Sequence, residues 1–232
     1  MLIKSGIRFT DNGIRTAIKA MQLQQAIVGV ANENVLGFDK IGYQRKEAVV
    51  SSFTEYLGVN GLSQATDTTI GRISTSANPL DLALNTKGYF QIQGRDGIRL
   101  TRDGRFKLDK QGNLLNLEDQ PLLSNAGVPI KLPFVPDKIS DVVVNTKGQV
   151  KVFNKHTKKL DNVATIGIVD SNGVGITNPE VAQGFLEYSN VAIQNEFMNL
   201  MPTLKAYDAN RQIFMIENSV LQKTISQLSS AQ

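Results

Sequence analysis

The sequence predicts an α+β fold in which long N- and C-terminal helices pack as a coiled-coil-like stem and a central antiparallel all-β domain lies between them. Three observations predict it. Apolar residues recur at helical spacing near the N-terminus, large apolar residues recur every seven positions near the C-terminus, and the intervening stretch carries glycine-centred turn signals between short alternating runs.

The first helix is carried by Ile14, Ala17, Ile18, Met21, Ile27, Val28, Ala31 and Val35, with Asp11 or Asn12 expected as its cap. Gly37 and Gly42 then break helical continuity. From there to Ala77 short apolar pairs mix with Ser, Thr, Gly and Asn, which suits an extended connector with one or two strands. At Asn78 the pattern becomes β. Leu80, Leu82 and Leu84 alternate with Asp81, Ala83 and Asn85, and Lys87-Gly88 turns the chain into Tyr89-Phe90-Gln91-Ile92, so a hairpin is expected with Asp81 on its polar side. Further turns fall at Asp96-Gly97, Asp103-Gly104, Gln111-Gly112, Asn125-Ala126-Gly127, Lys147-Gly148 and Asn172-Gly173. Pro129, Pro133 and Pro136 confine their segment to an edge or a loop.

From Gly184 a return to helix is expected. Ile193, Leu200, Tyr207, Phe214, Leu221 and Leu228 form one heptad row, and Phe197, Leu204 and Ile225 supply half of a companion row four residues on, which Arg211 and Asn218 interrupt. Pro202 must start this helix, kink it or lie beside it. The expected organisation is a helix over 1–35, a loop and connector over 36–77, a β domain over 78–182 and a helix over 183–232. A narrow apolar seam cannot bury itself, so the two helices need partners, either each other within one chain or neighbours in an assembly.

Composition excludes several classes of function. A charge of +4 from 25 basic and 21 acidic residues in a chain of 232 is too balanced for a dedicated nucleic-acid binder. The densest basic run, Lys155-His156-Thr157-Lys158-Lys159, suits a solvated turn between strands. Without cysteine there is no disulfide, thiol nucleophile or zinc-thiolate site. His156 is the only histidine and stands in that polar run, so no His cluster, metal site or catalytic base is expected. Asp103, Asp109, Glu118 and Asp119 are spaced as turn residues. In "GRDGIRLTRDGRF" strands flank the glycines on both sides, whereas a phosphate loop needs a helix after it. No window approaches a membrane span, and the N-terminus lacks the apolar core of a general secretory signal.

Three segments carry a family resemblance. Asn34-Val35-Leu36 and Gly42-Tyr43-Gln44-Arg45 resemble the two ends of an Asn-rich motif that closes in Gly, an aromatic and a basic residue; Gly37, Asp39 and Lys40 replace its usual Asn and Thr positions. Asn78-Pro79-Leu80-Asp81-Leu82-Ala83-Leu84, Gly88-Tyr89-Phe90 and Thr101-Arg102-Asp103-Gly104 with Phe106, Leu108, Asp109, Gly112 and Leu114 match a long central signature. Gln183-Gly184, Leu186-Glu187, Ser189-Asn190-Val191, Asn199-Leu200-Met201 and Ala206-Tyr207-Asp208-Ala209-Asn210 match a C-terminal one, from which Pro202 departs. In this order they resemble the bacterial flagellar rod and hook proteins. The short span between Tyr43 and Asn78 is more similar to a proximal-rod subunit than to a distal-rod or hook subunit.

The resemblance implies a structural subunit of the basal-body rod, without catalytic residues, cofactor or metal, polymerising into the drive shaft that carries torque from motor to hook. It implies axial packing by Ile14, Met21, Val28 and Val35 at one end and by Leu200, Tyr207, Phe214, Leu221 and Leu228 at the other, with termini loosely structured before assembly. The partners implied are copies of the chain, other rod and hook proteins, surrounding ring proteins and the flagellar export apparatus, with no nucleic acid and no small-molecule substrate. The implied location is the periplasmic part of the axial structure, reached without a cleavable signal. The alternatives are a hook-type axial subunit, a β-domain module over 78–179 that binds a cell-wall glycan or peptide, and a carbohydrate-active site in which Asp103 and Asp109 converge in one pocket.

Overall fold

The computed structural model describes residues 3–50 and 62–230, with side chains described for 13–49 and 63–230, so the connector over 51–61 lies outside the described residues. The chain divides into two compact units.

The first unit holds α1 (Ile3–Gly37) as far as Leu36, the antiparallel pair β1 (Lys46–Val50) and β2 (Leu62–Thr66), and α2 (Ile193–Ser229). α1 begins ahead of the expected cap, because Ile3 and Ile7 extend the helical apolar spacing backward and place Asp11 and Asn12 inside the helix. Pro202 lies within α2, neither starting nor ending it; the ring's missing N–H leaves the Met198 carbonyl without its helical donor.

The two helices run antiparallel and meet at three levels. A Cβ at Gly13 would come within 3.1 Å of Glu217 Oε1. Further along, the Gln25 amide donates to the Tyr207 hydroxyl at 3.4 Å, and the Asn34 amide donates to Glu196 Oε2 at 3.0 Å. The less exposed face of α2 comprises Ile193, Glu196, Leu200, Thr203, Tyr207, Asn210, Phe214, Glu217 and Leu221, with Asn218 beside them. The companion row therefore sits three residues after the heptad row, not four. Phe197, Leu204 and Ile225 are left exposed. Facing small and polar residues of α1 such as Ala17, Ala20 and Gln24, a row of Glu, Thr and Asn fits where bulky side chains would hold the backbones apart.

The second unit, Gly37–Arg45 with Thr68–Val191, is the β unit. Locally connected hairpins join β5 (Tyr89–Gly94) to β6 (Gly97–Thr101), β7 (Phe106–Leu108) to β8 (Leu114–Asn116), and β9 (Val142–Val144) to β10 (Gln149–Asn154) to β11 (Lys159–Thr165). The β5–β6, β7–β8 and β9–β10 turns fall where glycine signals stand, whereas the β10–β11 turn is the Lys155–Lys158 run, with Lys158 at φ 53°. Gly97, Gly112 and Gly148 adopt positive φ in the first three, a region that side-chain-bearing residues enter at a cost.

Long-range pairs close the unit. β3 (Ile73–Thr75) pairs with β14 (Phe185–Glu187), β4 (Leu82–Leu84) with β13 (Val181–Gln183), and β5 with β12 (Ile168–Val169). This corrects three expectations. The run 80–92 is not a hairpin, since β4 takes β13 as its partner and β5 takes β6 and β12. The connector contains three described strands rather than one or two, and β3 belongs with the β unit. The return to helix comes at Ile193, because Phe185–Glu187 is claimed by β3.

The core gathers Leu82, Leu84, Phe90, Phe106, Leu122, Val150 and Val152 among others, with the rings of Phe90 and Phe106 edge-to-face at 5.3 Å. The proline-punctuated segment is irregular, yet it sends Ile130 and Leu132 into that core. β4 is buried on both faces, so its alternation did not separate an inside from an outside. Asp81, expected on a polar side, is buried and accepts hydrogen bonds from the Ser76 hydroxyl and the Asn78 amide.

Candidate assembly surfaces and the clasp at the chain ends

Arg102 sits just after β6 and Glu187 ends β14. Both are 3% exposed. Glu187 Oε2 receives Arg102 Nη2 at 2.5 Å and Nε at 2.6 Å. The other guanidinium protons go to the carbonyls of Leu84 at 3.0 Å, Thr86 at 2.9 Å and Gly88 at 2.7 Å. Glu187 Oε1 accepts from the Gly71 amide at 3.0 Å, and the Glu187 carbonyl from the Gly42 amide at 2.7 Å. A buried ion pair is tolerated only when its remaining hydrogen-bonding groups are met, and here they are met by backbone from two segments, 84–88 and Gly71.

The other motif residues make contacts of their own. Gly42 has φ 68° and a Cβ there would lie 2.4 Å from the Arg102 carbonyl carbon, so only glycine permits the approach. Ile41 bridges Tyr188, and the Asn190 side chain accepts from the Arg45 amide at 2.6 Å while donating to the Thr69 carbonyl at 3.0 Å. Ser189 Oγ accepts from the Val191 amide at 3.2 Å, and Val191 is buried. The Tyr89 hydroxyl donates to the Gln44 side chain at 2.7 Å, and the ring of Tyr43 fills the space beside Gly37. Asn78 accepts from the Leu80 amide at 3.1 Å, Pro79 offers its carbonyl to Gln183 at 2.7 Å, and Thr101 Oγ1 accepts from the Asp103 amide at 3.0 Å. Gly104 packs its Cα against the Leu82 carbonyl, where a Cβ would be 1.6 Å away. Thus Gly42, Arg102 and Glu187 meet directly as a clasp, Tyr43, Ser189, Asn190 and Val191 belong to the segments that flank this contact, and Asn78, Pro79, Leu80, Asp81, Thr101 and Gly104 make separate contacts within the β unit.

The residues expected for axial packing divide differently. Ile14, Met21, Val28 and Val35 on α1 and Leu200, Tyr207, Phe214 and Leu221 on α2 are half-buried, while Leu228 is 54% exposed. The deeper positions are Ala17, Val30, Ala31, Asn34 and Glu196. Sequence reasoning missed Asn34 and Glu196 as a pair; the three-residue offset of polar positions from the heptad row was the available signal. At a helical pitch Phe197, Met201, Leu204 and Met215 share one exposed stripe of α2.

The carboxylates considered for chemistry are each taken up by their own turn. The Asp103 carboxylate holds Arg105, whose guanidinium is raised above its usual value chiefly by that hydrogen bond. Asp109 accepts from the side chain of Asn113 and from the amides of Asn113 and Gln111, and the Asn113 side chain is the main cause holding it below the usual carboxylate range. Each carboxylate is thus engaged by residues of its own turn, Asp103 by Arg105 and Asp109 by Gln111 and Asn113. The Lys155–Lys159 run is the exposed tip joining β10 to β11, where hydrogen bonding between Lys155 and Asp137 raises the amine and lowers the carboxyl. Among the described residues no group of His, Asp and Glu is placed to hold a metal, and no helix is long and apolar enough to cross a membrane.

A β unit whose buried polar residues clamp the chain's own crossings, together with terminal helices that leave a large apolar stripe open, defines a structural assembly subunit. The family model for the flagellar hook protein FlgE/F/G D1 domain matches residues 83–152, and that for the flagellar basal body rod FlgEFG protein C-terminal region matches residues 182–228. Arg102 falls in the first match and Glu187 in the second. The chain is 28% identical to the flagellar basal-body rod protein FlgG of Buchnera aphidicola from Acyrthosiphon pisum, over 92% of this chain and 97% of that protein. It is 24% identical to FlgG of Bacillus subtilis, covering 95% and 98%, and 26% identical to the rod protein FlgF of Rhizobium meliloti, covering 95% and 99%. The chain belongs to the flagellar basal-body rod protein family, and as such is a structural rod subunit of the basal body.

Proposed function

We propose that the chain polymerises through α1 and α2 with copies of itself and with other rod and hook proteins, forming a segment of the axial drive shaft that transmits torque from motor to hook. The observation that carries this is the exposed apolar stripe of α2, Phe197, Met201, Leu204 and Met215. Apolar surface is stabilised by exclusion from water, and among the described residues none covers these four side chains. In this reading the half-buried residues Ile14, Met21, Val28 and Val35 and the row Leu200, Tyr207, Phe214, Leu221 and Leu228 form a coiled-coil-like stem whose outer faces meet neighbours. A head-to-tail contact repeated by a screw operation extends without closing, which is the symmetry of a shaft. In this reading α1 and α2 serve the polymer core, and the β unit, Gly37–Arg45 with Thr68–Val191, is not part of it. Family resemblance supports delivery through the flagellar export apparatus to the periplasmic part of the axis and its surrounding rings.

The test is the pair Phe197→Ser and Leu204→Ser in a strain lacking the native copy. Swimming is expected to be lost and electron microscopy of basal bodies to show interrupted rods, while the purified variant keeps its circular-dichroism spectrum. Normal swimming with intact rods would overturn the proposal.

A further inference from the structure

The heptad row of α2 has a weakness as a guide to pairing. Leu200, Tyr207, Phe214 and Leu221 are large apolar residues at equivalent positions, so sliding α1 along α2 by one heptad, about 10 Å, replaces one such residue by another. The less exposed residues of α1 combine small Ala17, Ala20 and Ala31 with Ile14, Met21 and Val28, which also recur every seven positions. Apolar contact by itself therefore leaves registers of similar energy.

One buried polar contact does not survive such a slide. Asn34 is 1% exposed and Glu196 2%. The Asn34 amide nitrogen donates to Glu196 Oε2 at 3.0 Å and to the Lys46 carbonyl at 2.8 Å, while its carbonyl oxygen accepts the Lys46 amide at 2.8 Å. A one-heptad slide would bring Thr203 to Asn34 and carry Glu196 off its donor. Moving a buried carboxylate away from a hydrogen-bond donor is costly, and a single buried polar residue in a helical seam is the best-attested way to fix register.

We infer that Asn34 and Glu196 form a register pin that selects one alignment of α1 with α2 among heptad-related alternatives, and that Asn34 ties the start of the β1–β2 pair to that alignment through Lys46. Within one chain the connections also limit sliding.

The absence of cysteine permits a direct test with the purified full-length protein. Gly13→Cys is combined in turn with Glu217→Cys, the observed neighbour, and with Asn210→Cys or Thr224→Cys, one heptad to either side, and each is oxidised at low protein concentration. Only the 13–217 disulfide is expected on the otherwise native background. With Glu196→Leu added, 13–210 or 13–224 is expected to form alongside it, and with Glu196→Gln, which keeps an acceptor for Asn34, the 13–217 bond is expected to remain the sole product. Should Glu196→Leu lose its helical circular-dichroism signal, Asn34→Ala decides in its place. A single 13–217 product in the apolar variant, or scrambling in Glu196→Gln, would overturn the pin. Loss of swimming with an unchanged disulfide pattern would concern the assembly surface alone.

Discussion

The β unit encloses Phe90, Phe106 and their neighbours in one apolar core and buries Asp81, Arg102 and Glu187 with them, leaving Ile98, Leu117, Val128 and Val174 exposed on separate segments, whereas α2 leaves Phe197, Met198, Met201, Leu204, Met215 and Ile216 exposed along one helix. Both regions draw on similar residue types. A sheet stacked on itself can enclose Phe90 and Phe106 from every side, but two helices present only one face each to the other. The difference teaches that the β unit has an apolar core closed on its own strands, whereas the exposed apolar side chains of α2 lie along a single helix.

The largest way to test that contrast is Arg102→Ala, which leaves Glu187 buried beside an empty site. Breaking a buried pair from one side typically costs about 3–5 kcal/mol. Urea unfolding of the β unit should show it, and Arg102→Met with Glu187→Leu should recover part of the loss. Unchanged unfolding in Arg102→Ala would mean the clasp is not what holds the chain's crossings.

Gly104→Ala should come next. Its Cβ would meet backbone, the Leu82 carbonyl, which cannot rotate aside as a side chain can. A loss of roughly 2–3 kcal/mol is expected, at the upper end of ordinary single substitutions, with the effect read as a lowered thermal midpoint.

For the helices the expectation reverses. Phe197→Ser or Leu204→Ser should change the monomer's stability by no more than about 0.5 kcal/mol, as for exposed positions generally, while abolishing swimming. A large loss of monomer stability would show that the stripe is already buried in the free chain and would weaken the contrast between the two units.

The smallest effect concerns Asp109. The Asn113 side chain, then the amides of Asn113, Gln111 and Gly112, hold its folded pKa below the unfolded one. Its contribution is therefore complete above the ordinary carboxylate range and is lost as pH falls through the lowered folded value. The stability gap between the native chain and Asp109→Asn should accordingly narrow on acidification; a gap independent of pH would show that the carboxylate's charge does not brace the β7–β8 turn.

Much of this contrast could be read before the fold was seen. Glycine turn signals announce positive φ and short chain reversals by local sterics alone, so β5–β6, β7–β8 and β9–β10 were legible. The recurrence of Leu200, Tyr207, Phe214 and Leu221 likewise announces a helix, since spacing along one chain is a local property. The gathering of Gly42, Arg102 and Glu187 was visible only as scattered motif fragments. Nothing in their spacing says that they touch.

By itself, then, the sequence determined the alternation of helix and strand, the turn positions and the apolar rows, because each depends on neighbours a few residues apart. Only the tertiary structure decided that β4 pairs with β13 and not with β5, and that Arg102 reaches Glu187. It also decided that the inner face of α2 follows Glu196, Thr203, Asn210 and Glu217 instead of Phe197 and Leu204. Those choices depend on which distant surface is available to bury against, and that competition is settled between segments far apart in the chain, where local periodicity has no say.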